Sequence, residues 1–216
     1  MTRQGVPGLG QYLTVFLLWS AWRQWGTTLL PPEPGSAVLE AVVIKNLIWL
    51  LPLLPAVLKR REEGWLIRPR RLFAAPFPWL ACVTLLCASA AFLHTVRIAT
   101  GNLETIVLFD PVFVVLSLCA GVTEELVFRG YLFNRQAAVM GVSRAAALNG
   151  LLFALIHYPG LLWGREWGDL LSWRTLLIFV MGALFCWAFA RWKNLALPMT
   201  VHTVWNILSY LFGLSG

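Results

Sequence analysis

The chain alternates long apolar runs with short clusters of proline, glycine and charged residues. About 20 apolar residues in a row are enough to cross the hydrocarbon core of a bilayer as a helix. The pattern predicts seven helices, over residues 9–30, 37–58, 77–96, 111–135, 143–158, 173–192 and 197–212. Arg23 interrupts the first, and Glu40, Lys45 and Asn46 lie within the second. Pro31, Pro32 and Pro34 separate these two, because proline cannot continue a helical ladder. No internal repeat or low-complexity stretch divides the sequence. The expectation is an all-α fold: a polytopic transmembrane helical bundle of about seven spans, built as a single membrane domain over residues 1–216.

Composition agrees with the pattern. Hydrophobic residues make up 59% of the 216 positions and charged residues 12%, with a mean hydropathy of +0.71. A soluble domain carries roughly 25% charged residues to solvate its surface, so lipid must be the solvent for much of this chain. Twelve tryptophans fit the same reading, since indole rings favour the membrane–water interface. The apolar run 12–22 lacks a small-x-small cleavage site and reads as a retained first helix, not as a signal peptide. Cys82, Cys87, Cys119 and Cys186 all lie inside apolar stretches. None forms a Cys-x-x-Cys pair or has a histidine at ligand spacing, which argues against disulfide and zinc–thiolate chemistry.

The net charge of +7 raises the question of nucleic acid. The basic residues, however, sit in the connections between apolar runs, where they set topology; no phosphate-binding stripe is formed and no nucleic acid is expected. Lys59, Arg60, Arg61, Arg68, Arg70 and Arg71 crowd one connection, opposed only by Glu62 and Glu63. The positive-inside rule makes that connection cytoplasmic. Alternation then puts Arg135, Arg144, Arg191 and Lys193 on the same side, and Glu104, Asp110, Glu166 and Asp169 on the other. The N-terminus is expected in the cytoplasm, and the C-terminus outside if there are seven spans.

Against this background the charges inside apolar helices stand out. Glu124, Glu125 and Arg129 lie within the fourth helix. An ionised group at the centre of a span costs ~2.5–3.5 kcal/mol on insertion scales, so such groups need compensation. Glu125 and Arg129 are spaced i,i+4 and can pair on one face. Glu124 points about 100° away from Glu125, so it must look toward another helix. Two helices offer partners at i,i+4 spacing: Phe153 with His157 on the fifth, and His202 with Asn206 on the seventh. Each feature alone has a plain structural explanation. A Glu–Arg pair can lock helices together, and a transmembrane histidine or asparagine often hydrogen-bonds a neighbouring helix. Converging from three helices, they offer a base, oxyanion donors and metal ligands.

These motifs resemble the CPBP family of glutamic-type intramembrane proteases, also described as intramembrane metalloproteases, which includes type II CAAX prenyl endopeptidases and bacteriocin-immunity relatives. The family pattern is Glu-Glu-x-x-x-Arg, then Phe-x-x-x-His, then His-x-x-x-Asn or Asp. Here these are Glu124-Glu125 with Arg129, Phe153 with His157, and His202 with Asn206, in the family's order. The resemblance covers about 112–212, and the first hundred residues show only generic membrane character. It implies hydrolysis of a peptide bond in a membrane-anchored polypeptide. Glu124 would be the general base, His157 would help to orient the water and move its proton, and His202 and Asn206 would receive the oxyanion. Glu125, Arg129 and Phe153 would support the site.

No cofactor is expected on this reading. A zinc-dependent variant held by Glu124, His157 and His202 is the alternative, since neutral imidazoles and a carboxylate suit that ion. The His-Glu-x-x-His and Gly-x-Ser-x-Gly signatures are absent from the sequence, as is any aspartate deep within a predicted span. The competing functional class is a non-proteolytic scaffold or immunity-type protein with the same fold. A transporter would be expected to carry repeated halves. The small size and short loops suggest a bacterial inner (plasma) membrane. One conflict follows from the topology: the fifth and seventh helices run in the same direction, yet His157 falls near the end of one and His202 near the start of the other.

Overall fold

The computed structural model describes residues 6–58, 64–101, 110–163 and 172–214. Among them are seven long helical runs and no strand. We name these α1 (Leu9–Trp25), α2 (Pro34–Leu58), α3 (Trp79–Ala99), α4 (Pro111–Met140), α5 (Val142–Trp163), α6 (Trp173–Trp192) and α7 (Ala196–Leu211). The five from α2 to α6 are long and apolar enough to cross a membrane, while α1 and α7 have 17 and 16 residues. The helical membrane bundle expected from the sequence is the architecture observed. Its outer face is apolar, as contact with lipid requires: Leu176, Val180, Leu184 and Trp187 form an exposed stripe along α6.

Local chemistry explains the helix limits. Asp110 caps α4, its carboxylate accepting the Val112 N–H at 2.8 Å, and Pro111 occupies the first turn, where a missing N–H costs nothing. The helix runs past Arg135 to Met140, five residues beyond the expected stop, and ends where Gly141 takes φ 83°. Lys193, at φ 53°, closes α6. In α5 the regular helix ends at Leu155, turns through Ile156 and His157, and resumes at Tyr158.

Two helix pairs approach closely because glycine stands between them. A Cβ on Gly150 of α5 would come within 2.7 Å of the Phe179 carbonyl of α6, and Gly182 of α6 faces Gly150 and Phe153 in return. Gly121 of α4 lies under Thr203 and the Met199 carbonyl of α7. Small residues at such crossings let backbones pack where no hydrophobic force drives helices together.

Side-chain contacts sort the helix ends into two layers. At one end, Asn134 of α4 bonds the backbone of Ile67, Arg135 lies over Trp65, Leu195 donates to the Leu72 carbonyl, and Asn194 donates to Ala75. The basic connection, the foot of α4 and the α6–α7 turn are thus neighbours, as the charge pattern requires. At the other end, Phe113 stacks on Tyr210, Arg97 lies over Phe212 and Arg174 donates to the Leu214 carbonyl. Of the topogenic charges, Lys59, Arg60, Arg61, Glu62, Glu63, Glu104, Glu166 and Asp169 lie outside the described residues.

Candidate active site

The Glu-Glu pair closes the regular part of α4. From Leu126 to Phe133 the helix widens to a π-type turn, a local distortion frequently found at functional sites. Glu125 and Arg129 are fully buried. Arg129 Nη1 donates to Glu125 Oε1 at 2.9 Å, and its Nη2 donates to the Gly182 carbonyl at 3.0 Å. The guanidinium also lies 4.3 Å from the centre of the Phe153 ring. This fixes α4 against α5 and α6 at once, and two hydrogen bonds and an aromatic face compensate for burying the charge.

Glu125 Oε1 has a second partner, the Nδ1 of His202, at 2.9 Å. A carboxylate only accepts, so Nδ1 carries the hydrogen. The opposite ring nitrogen, Nε2, lies 3.9 Å from Glu124 Oε2. His202 therefore stands between the two carboxylates, one on each side of its ring. Phe185 packs on the ring at 5.4 Å between centroids.

His157 is oriented through its own backbone. Its Nδ1 lies 2.8 Å from the Phe153 carbonyl oxygen, which makes Nδ1 the protonated nitrogen and leaves Nε2 with a free lone pair. The Phe153 ring is edge-on to both imidazoles, with centroids 5.1 Å from His157 and 5.9 Å from His202. The conflict over depth has a simple solution. The start of α7 is recessed: Leu195 and Leu197 are fully buried, and the turn before them is tied to residues 72 and 75. His202 consequently sits level with Phe153, and His157 lies one turn further along α5.

Asn206 lies one turn above His202 and lines a cavity of about 350 Å³ between α3, α4, α6 and α7. Ser117 and Ala120 of α4 also face this cavity. Glu124 is four residues beyond Ala120, and His202 four residues before Asn206. On helices this places both beneath the lining side chains, so the cavity stands above the Glu124–His202 pair.

The residue that sequence reasoning missed is Lys45. Its Nζ lies 2.6 Å from Glu124 Oε1, with side-chain exposures of 13% and 7%. Glu124 has no partner on its own helix, as the spacing suggests, but the partner comes from α2 and not only from the histidine helices. The next residue, Asn46, accepts the Thr123 hydroxyl at 2.7 Å. Two consecutive residues of α2 thus meet two consecutive residues of α4. The view that the first hundred residues are generic is corrected at this point. A lysine inside an apolar run, with tryptophan at i+4, was the available signal.

A metal at Glu124, His157 and His202 fits these surroundings poorly. Glu124 Oε1 already holds an ammonium at 2.6 Å. A divalent ion on Glu124 would meet the Lys45 charge. Among the described residues no group of three His, Cys, Asp or Glu side chains is disposed to hold one.

Residues 108–208 match the family model described as type II CAAX prenyl endopeptidase Rce1-like. That segment is similar to the Rce1-like family, and it makes up just under half of the chain. The resemblance seen in the three motifs and the family match coincide, and they support a peptidase role. Glu124, Glu125, Arg129, Phe153, His157, His202 and Asn206 all lie inside the Rce1-like segment, whereas Lys45 lies outside it. Over 217 aligned residues the chain is also 27% identical to UPF0177 protein YvdC of Lactococcus lactis subsp. lactis (strain IL1403), covering 94% of this chain and 77% of the relative. No solved structure matches the chain.

Proposed function

We propose that this protein is a membrane-embedded endopeptidase that hydrolyses a peptide bond in a membrane-associated polypeptide with a water activated by Glu124 and His157. The observation that carries the reading is the convergence of three helices: His202 Nε2 lies 3.9 Å from Glu124 Oε2, and the Phe153 ring packs against both His202 and His157. The 3.9 Å between Glu124 Oε2 and His202 Nε2 is a separation that one water molecule can bridge. Glu124 would take the proton as the water attacks the carbonyl carbon, and the free Nε2 of His157 is an alternative acceptor that can pass a proton to the leaving amine.

The oxyanion would form toward His202 and Asn206. His202 donates through Nδ1 to Glu125, so donation to the oxyanion through Nε2 would need a second ring proton. Asn206 faces the cavity above the Glu124–His202 pair, which suits it to donate to a carbonyl lying there. The substrate strand would occupy that cavity. Catalysis on this reading needs no metal. The grouping of the basic connections at one layer supports a cytoplasmic N-terminus, and the Lactococcus relative supports a bacterial plasma membrane.

The test is cleavage of a membrane-anchored peptide library by the purified protein in detergent, with and without a strong chelator. Glu124→Gln and His157→Ala are each expected to lower kcat by about 10²–10⁴-fold, with the chelator having no effect. Loss of wild-type cleavage on chelation would move the mechanism to a metal. A folded wild type that cuts no peptide would favour a non-proteolytic scaffold.

A further inference from the structure

The hairpin of α1 and α2 lies outside the Rce1-like segment, yet its polar side chains are engaged, two of them with α4. Arg23 of α1 pairs with Glu40 of α2 at 3.3 Å, so those two charges balance each other. Lys45 has its own setting. Its ammonium lies 4.6 Å from the Trp49 ring centre and 5.9 Å from that of Trp19, and the two indoles meet edge to face at 5.7 Å. Indole faces attract a desolvated cation and limit where it can move. The backbone contributes too. The helix widens over Glu40–Ile44, directly before Lys45, and Asn46 Nδ2 donates to the Ala41 and Val42 carbonyls while its Oδ1 accepts Thr123. Lys45 is thereby held from its own helix, from α1 and from α4.

We propose that Lys45 is a positioning residue for Glu124: its ammonium occupies Oε1 and presents Oε2 to the attacking water. The proposal rests on the peptidase reading above. With Oε1 taken by the ammonium, Oε2 is the oxygen left facing His202 Nε2. Other charged or titratable groups around Glu124 do not fill this role. Arg129 is spent on Glu125 and the Gly182 carbonyl, His202 faces Oε2, and His157 is held by the Phe153 carbonyl. Lys45 alone, among the described residues, places a fixed positive charge on Oε1. The hairpin therefore completes a site whose other members lie in the Rce1-like segment.

The experiment compares full-length wild type, Lys45→Met, Lys45→Arg and Lys45→Ala on a peptide that the wild type cuts, measuring kcat and KM separately. Lys45→Ala is assayed with and without added ethylammonium, and thermal unfolding is followed for every variant. Lys45→Met is expected to lower kcat by about 100-fold while KM stays close to that of the wild type. Lys45→Arg should retain more activity than Lys45→Met, and ethylammonium should restore part of the Lys45→Ala kcat in a saturable manner. A helix lock alone would lower the unfolding temperature without chemical rescue, and that result overturns the proposal. So does a Lys45→Met protein with wild-type kcat, which leaves the peptidase reading intact. A folded wild type that cuts nothing overturns the peptidase reading and this proposal with it.

Discussion

Glu125 and Arg129 are the most deeply buried charges among the described residues, and their energetics follow from what surrounds them. Removing one partner leaves the other charged and desolvated in a dry interior. Arg129→Met is expected to destabilise the fold by about 3–5 kcal/mol, read as a shift of the unfolding curve in a mild denaturing detergent. Adding Glu125→Gln should recover a large part of that loss, because no unpaired charge remains. A double-mutant cycle on the two positions checks this directly. The pair was legible in the sequence because i,i+4 spacing is a local rule. The His202 bond to the same carboxylate was not, since it depends on how far into the membrane α7 begins. Lys45 was legible only as an anomaly. Its partner is 79 positions away, and no local pattern indicates which of several polar residues it meets.

Between helices, position is set where glycine allows contact. Gly150→Val would drive a side chain into the Phe179 carbonyl of α6. The expected cost is about 1–3 kcal/mol of overpacking, measured by thermal unfolding. Gly121→Val acts on the other crossing and should separate α7 from α4. Cleavage is expected to fall more than stability does, since His202 would leave Glu124; assaying kcat beside the unfolding temperature distinguishes the two effects. Element limits are legible in the sequence wherever a residue dictates them. The range 173–192 coincides with α6 because apolar character begins at Trp173 and Lys193 adopts a left-handed turn. The sequence pattern predicts the foot of α4 at Arg135, where a basic residue follows the apolar run. In the fold Asn134 and Arg135 are instead tied to residues 65–67, and the helix continues to Gly141. The widened turns in α2 and α4 leave no signature in hydropathy, which registers burial and not residues per turn.

The bundle as a whole sorts its helix ends into two layers, and this can be tested without knowing the substrate. In a background lacking the four native cysteines, Arg70→Cys should be labelled by a membrane-impermeant thiol reagent only after the cell interior is opened. Gly213→Cys should be labelled from outside intact cells. Labelling of both from one side would refute the alternating arrangement. The layers also fix where the buried cluster sits in the electric field across the membrane. Two carboxylates, one ammonium and one guanidinium meet there, and their formal charges cancel. Moving one elementary charge through the field costs about 2.3 kcal/mol per 100 mV, whereas a neutral set moves without electrical work. A cell that loses its membrane potential would therefore leave this site assembled as it was, and the protein could act in energised and exhausted membranes alike.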